Sequence, residues 1–101
     1  MRKIVLVCSA GVSTSLLVKK MNEEAEKLGY DCKISFYPLS EIAEAVQEAD
    51  AVLLAPQAAH ELGEIQVKYP DAHVDVIPQA AYGAADAAAV LDLAQRTAGD
   101  Y

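Results

Sequence analysis

The chain has 101 residues, 53% of them apolar, and carries 15 Asp and Glu against eight Lys and Arg, for a formal charge of -7. A chain of this length buries very roughly two thirds of the surface it exposes when unfolded, so one core and one domain over residues 1–101 are expected. The apolar content excludes a disordered tail, and no stretch approaches the ~20 uninterrupted apolar residues of a membrane-spanning helix, so direct membrane insertion is not expected. Without a cluster of Lys and Arg, an acidic chain is also a poor binder of nucleic acid.

Residues 3–8, KIVLVC, form a run rich in β-branched side chains without alternation, the pattern of a strand covered on both faces. The run ends too soon for an export signal, and the only two cysteines, Cys8 and Cys32, are far apart in sequence, which points to a reducing, cytoplasmic setting. Small residues from Ser9 to Ser15, interrupted by Val12, lead into a helical stripe of Leu17, Met21, Ala25 and Leu28, and Gly29 is placed to cap that helix.

Tyr30, Cys32, Ile34 and Phe36 then alternate with Asp31, Lys33, Ser35 and Tyr37, as in an edge strand with one buried face. Cys32 reads as a buried thiol of that face. Pro38 breaks the strand, Ser40 is a candidate cap, and Ile42, Ala45, Val46 and Ala49 give the next helix an apolar side.

AVLLA at 51–55 is a second continuous apolar run and reads as a central strand. Ala58, Leu62, Ile65 and Tyr69 are the inward stripe of a helix that Gly63 weakens and Pro70 ends. Val74, Val76 and Ile77 make a fourth strand stopped at Pro78, and an alanine-rich helix over 86–98 packs Val90, Leu91 and Ala94. No internal repeat is expected. Four β-α units in succession favour one parallel sheet with helices on both faces, whose ligands sit beyond the carboxyl ends of the strands.

The turn after the first strand lies at that edge and reads Cys8-Ser9-Ala10-Gly11-Val12-Ser13-Thr14-Ser15. A thiol at a strand end can point into the mouth of the loop. The amides of residues 9–15 can converge on one anion, small side chains let the backbone approach it, and Gly11 can take a positive φ. The helix start adds positive partial charge, which favours the thiolate, the nucleophilic form of Cys8, and Ser13, Thr14 and Ser15 can cap or donate further bonds. The plainer alternative is a small buried hydrophobe beside an ordinary cap. Nucleotide loops, dinucleotide fingerprints and C-x-x-C redox pairs are absent, and no nearby His/Cys set suggests a metal or other cofactor.

C-S-A-G-V-S-T-S at 8–15, L-L-A-P-Q at 53–57 and Y-G-A-A-D at 82–86 together resemble the IIB component of the bacterial sugar phosphotransferase system, lactose/cellobiose/chitobiose type, essentially end to end. The resemblance implies an open four-stranded parallel sheet of order 2-1-3-4 and a phosphocysteine relay. In that relay a phosphohistidine IIA protein would charge Cys8, which would pass the phosphoryl group to a β-linked disaccharide in the membrane IIC component; the carrier itself is expected to be a cytoplasmic monomer. By that similarity residues Ser9 to Ser15 cradle the phosphate, and Gln57, Tyr82 and Asp86 match positions near partner-docking loops. Val12 and His60 depart from the larger apolar residue and the tyrosine frequent in the family. Low-molecular-weight thiol phosphatases and arsenate reductases share the topology and remain the competing reading, but their loop, C-x5-R, needs an arginine where this chain has Thr14. An arginine would stabilise the transition state of hydrolysis, and a carrier does better without it.

Overall fold

The first strand, β1 (Arg2–Cys8), is buried from Ile4 through Cys8 because helices cover both of its faces in the computed structural model, which describes residues 1–8 and 12–100 and, for residues 12–14, the backbone. The chain continues through α1 (Val12–Leu28), β2 (Cys32–Pro38), α2 (Ile42–Glu48), β3 (Ala51–Leu54), α3 (Leu62–Lys68), β4 (Val74–Val76), α4 (Gln79–Gly83) and α5 (Ala87–Thr97). The strands form one four-stranded parallel sheet of order β2-β1-β3-β4, as expected.

Alternate residues of the central strands feed two separate cores. Ile4, Leu6, Ala51 and Leu53 pack under α1 and α5 with Leu17, Met21, Val90, Leu91 and Ala94. Val5, Val7, Val52 and Leu54 pack under α2 and α3 with Ala45, Ala58 and Ile65. The absence of alternation in KIVLVC and AVLL thus has a direct cause, since either side of the pleat meets a helix. β2 is an edge strand whose Cys32, Ile34 and Phe36 join the α1/α5 layer. Burial, and then the neighbouring Asp31 carboxylate, push the Cys32 thiol pKa up. In the ladder Cys32 lies opposite Arg2 and Cys8 opposite Pro38, so the two thiols sit at opposite ends of the strand pair, about 20 Å apart at ~3.3 Å per residue, and cannot be bridged.

Gly29 caps α1 as expected. Its φ is 70°, its N–H donates to the carbonyl of Glu26 at 3.2 Å and that of Tyr30 to the carbonyl of Ala25 at 3.0 Å, the paired bonds of a Schellman motif. Leu28, however, is 62% exposed and does not join the inward stripe, because it ends the helix where the chain turns away. Ser40 lies within a 3-10 turn, Leu39–Glu41, and no side chain caps that turn or α2. A 3-10 segment, Pro56–Glu61, likewise precedes α3, although Ala58, Leu62, Ile65 and Tyr69 face the core as their spacing requires. Ile77 falls one residue beyond β4 and its side chain enters the opposite layer from Val74 and Val76. The short helix α4 has no counterpart in the sequence reading. It turns into α5 through Ala85 at φ 50°, and Asp86 caps α5 by accepting from the N–H of Ala89 at 3.2 Å.

The amino edge of the sheet is tied shut by charge. Arg2 Nε lies 2.9 Å and 3.0 Å from the two Asp100 carboxylate oxygens, and the Tyr30 hydroxyl donates to the same carboxylate. These hydrogen bonds, from Tyr30 and then from Arg2, hold the Asp100 carboxyl below the usual carboxylate range. Asp50 joins β3 to β1 by accepting from the Lys3 N–H at 2.8 Å and returning its own N–H to the Lys3 carbonyl at 2.7 Å.

Four variants check this account. Leu53→Ala should cost about 2–5 kcal/mol in urea unfolding through the cavity it leaves, whereas Leu28→Lys should stay within about 0.5 kcal/mol. Asp86→Ala should cost about 1 kcal/mol as a lost helix cap. A carboxyl whose pKa is lowered by folding adds stability above the usual Asp value of about 4 and loses it as pH falls through the lowered one. Asp100→Asn should therefore lower the urea midpoint at pH 7, with the two midpoints converging in acid; a pH-independent gap would contradict the ion pair.

Candidate functional site

The winding direction of a β2-β1-β3-β4 sheet reverses between β1 and β3, and the crevice of such a sheet opens beyond the carboxyl ends of those two strands. Cys8 is the last residue of β1 and is 1% exposed. On one side it is in register with Pro38 of β2. On the other, the Ala55 N–H donates to the Val7 carbonyl at 2.8 Å, which brings Pro56 and Gln57 to the end of β1. The next strand adds a third connection there, because the Ile77 N–H donates to the Leu54 carbonyl at 2.8 Å and α4 follows at once.

Of the expected phosphate loop, Ser9, Ala10 and Gly11 lie outside the described residues, as do the side chains of Val12, Ser13 and Thr14. The backbone from Val12 is already helical and Ser15 is exposed on its first turn. The amino end of α1, 17 residues long, therefore stands at the same edge as Cys8. A helix's first turn has N–H groups without intrahelical acceptors and carries the positive end of the macrodipole.

Gln57 and Tyr82, singled out in different parts of the sequence, come together on one cleft of about 450 Å³ lined by Pro56, Gln57, Gln79, Tyr82 and Gly83. Tyr82, within α4, is half-buried and packs against the α1/α5 core. Asp86 does not line the cleft; its carboxylate is engaged as the cap of α5. His60 is exposed, with Nε2 3.4 Å from the Glu61 carboxylate. Among the described residues no group of three or more His, Cys, Asp and Glu is placed to hold a metal. A cleft of similar size, about 470 Å³, involves Arg2, Asp50 and His73 at the amino edge, remote from the crevice.

Gln79 was missed in the sequence, although a signal was present. Pro56-Gln57-Ala58-Ala59 recurs as Pro78-Gln79-Ala80-Ala81, a repeat overlooked because it is short and rich in alanine. Each copy follows a strand at the same offset. Leu54 and Val76 are register partners, and Gln57 and Gln79 lie three residues beyond them. Adjacent parallel strands thus deliver two like carboxamides to the same cleft.

The arginine that a thiol phosphatase requires is not at this edge. Arg2 opens β1 at the opposite end and is engaged by Asp100, while Arg96 is near the end of α5 and pairs with Asp92 at 3.0 Å.

Residues 3–93 match the family described as PTS system, Lactose/Cellobiose specific IIB subunit. The chain is 44% identical over 89 residues to the PTS system oligo-beta-mannoside-specific EIIB component of Bacillus subtilis (strain 168), spanning 85% of each protein. It is 39% identical over 87 residues to the galactose-specific EIIB component of Lactococcus lactis subsp. cremoris (strain MG1363), spanning 79% of this chain and 81% of that one. The solution structure of a cellobiose-specific phosphotransferase IIB component from Borrelia burgdorferi superposes with a TM-score of 0.80 at 30% identity, over 98% of this chain and 93% of the other. With a thiol at the switch point of a β2-β1-β3-β4 sheet and that match over most of its length, the chain belongs to the lactose/cellobiose-type IIB subunits of the PTS, phosphotransferases that work with IIA and IIC partners.

Proposed function

We propose that this chain, acting as one unit over residues 1–101, carries a phosphoryl group on the sulfur of Cys8 between a phosphohistidine IIA protein and a β-linked disaccharide of cellobiose or chitobiose type held by membrane IIC. The observation that carries the reading is the position of Cys8, closing a strand buried from Ile4 onward at the switch point, with the amino end of α1 next in the chain. The Cys8 thiolate attacks phosphorus and the N–P bond of phosphohistidine breaks, its electron pair returning to the imidazole. A hydroxyl oxygen of the sugar then attacks the same phosphorus. The S–P bond breaks, sulfur keeps the pair as thiolate, and the hydroxyl proton passes to solvent.

In this reading the amides of residues 9–15 hold the phosphoryl oxygens, and Gln57, Tyr82 and Asp86 lie where partners approach. An acidic chain can hold a dianion there because oriented dipoles act locally while its net charge acts diffusely. The positions of Arg2 and Arg96 favour a carrier over a phosphatase, since neither guanidinium is at hand to stabilise transfer to water. We place the protein in the cytoplasm as a monomer; no helix among the described residues is long and apolar enough to cross a membrane.

Incubation with phosphorylated IIA protein should add one phosphoryl group, mapped to Cys8 by mass spectrometry, absent from Cys8→Ser and released only slowly to water. Charging that persists in Cys8→Ser, or rapid turnover of an aryl phosphate, would refute the proposal.

A further inference from the structure

The repeated Pro-Gln-Ala-Ala segments put Gln57 and Gln79 on one cleft together with the half-buried ring of Tyr82. Among the described residues no charged side chain lines this cleft, in a chain of which 23% of residues are charged. A surface that recognises a charged partner would need complementary charge there. Each carboxamide instead offers two N–H donors and an acceptor oxygen, the complement of hydroxyl groups that both donate and accept. An aromatic side chain with a few placed polar groups, in a volume of about 450 Å³, has the make-up of a small-molecule site. The Ala55–Val7 hydrogen bond keeps the start of this cleft at the carboxyl end of β1, the strand that Cys8 closes, although Cys8 itself does not line the cleft.

We infer that Gln57 and Gln79, with Tyr82 as a platform, bind hydroxyl groups of the acceptor saccharide during transfer from Cys8, so that this subunit, and not the membrane component alone, positions the sugar. The inference rests on the phosphoryl-carrier reading. Holding the ring on the cleft keeps the attacking hydroxyl in reach of phosphorus while the rest of the sugar stays with the transporter, which converts encounter into position. Proline at the start of each segment limits the backbone freedom lost when the carboxamides are engaged.

The test separates the two half-reactions. Both glutamines are exposed, so Gln57→Ala/Gln79→Ala should fold, which its urea midpoint checks. The double variant, charged at Cys8, is given cellobiose and membrane vesicles carrying the IIC transporter. Its KM for the disaccharide should rise about tenfold or more, the loss expected for two hydrogen bonds, and by far more than its KM for phosphorylated IIA protein. An unchanged sugar KM, or equal rises in both half-reactions, would overturn the inference and, in the second case, assign the cleft to protein docking. If the unaltered chain takes no phosphoryl group on Cys8, the carrier reading fails instead, and that result is distinct from either.

Discussion

Burial of the two central strands on both faces is the constraint from which the remaining structure follows. Once Ile4 to Cys8 and Ala51 to Leu54 are covered by α1 and α5 on one side and by α2 and α3 on the other, their side chains have no route to solvent along the length of the sheet. Chemistry is confined to the strand ends. The parallel direction gathers the carboxyl ends, and the helix starts that follow them, at one edge. Cys8 is at once part of the core and the last residue of β1, so its location is set by rigid neighbours on both sides.

The two edges of the sheet are built from different interactions. The amino edge carries fixed charge, with Asp100 accepting from Arg2 and Tyr30 and with Asp50 linking β3 to β1. The carboxyl edge presents a thiol, a helix start, carboxamides and a phenol. Keeping Arg2 and Arg96 away from the crevice has a chemical consequence. In the carrier reading proposed above, a guanidinium beside a phosphothiol would stabilise every phosphoryl acceptor, water included, whereas main-chain dipoles would hold the group without committing it to hydrolysis.

Most elements were legible from the sequence because period and burial coincide. The unbroken runs at 3–8 and 51–55, the alternation at 30–37, the Gly29 cap and the helix over 86–98 all rest on local rules that the packing reinforces. The failures occur where chain entry or exit geometry overrides local preference. Ser40 cannot cap because the chain enters α2 through a 3-10 turn; Leu28 has the right spacing but sits on the last residue of α1, where the chain leaves the layer. α4 is too short to show a period.

From the letters alone, the chain's αβ character, the strand whose end bears the thiol and the absence of a C-x5-R loop are determined, because each depends on residues adjacent in sequence. Which residues stand beside that strand end was decided by tertiary structure. The β3/β4 register aligns Leu54 with Val76 and so sets Gln57 beside Gln79, while the same docking leaves Asp86 as a cap outside the cleft. Side-chain periodicity reports which face of an element is buried and carries no information about how neighbouring strands align, and that alignment determines which distant residues share a site.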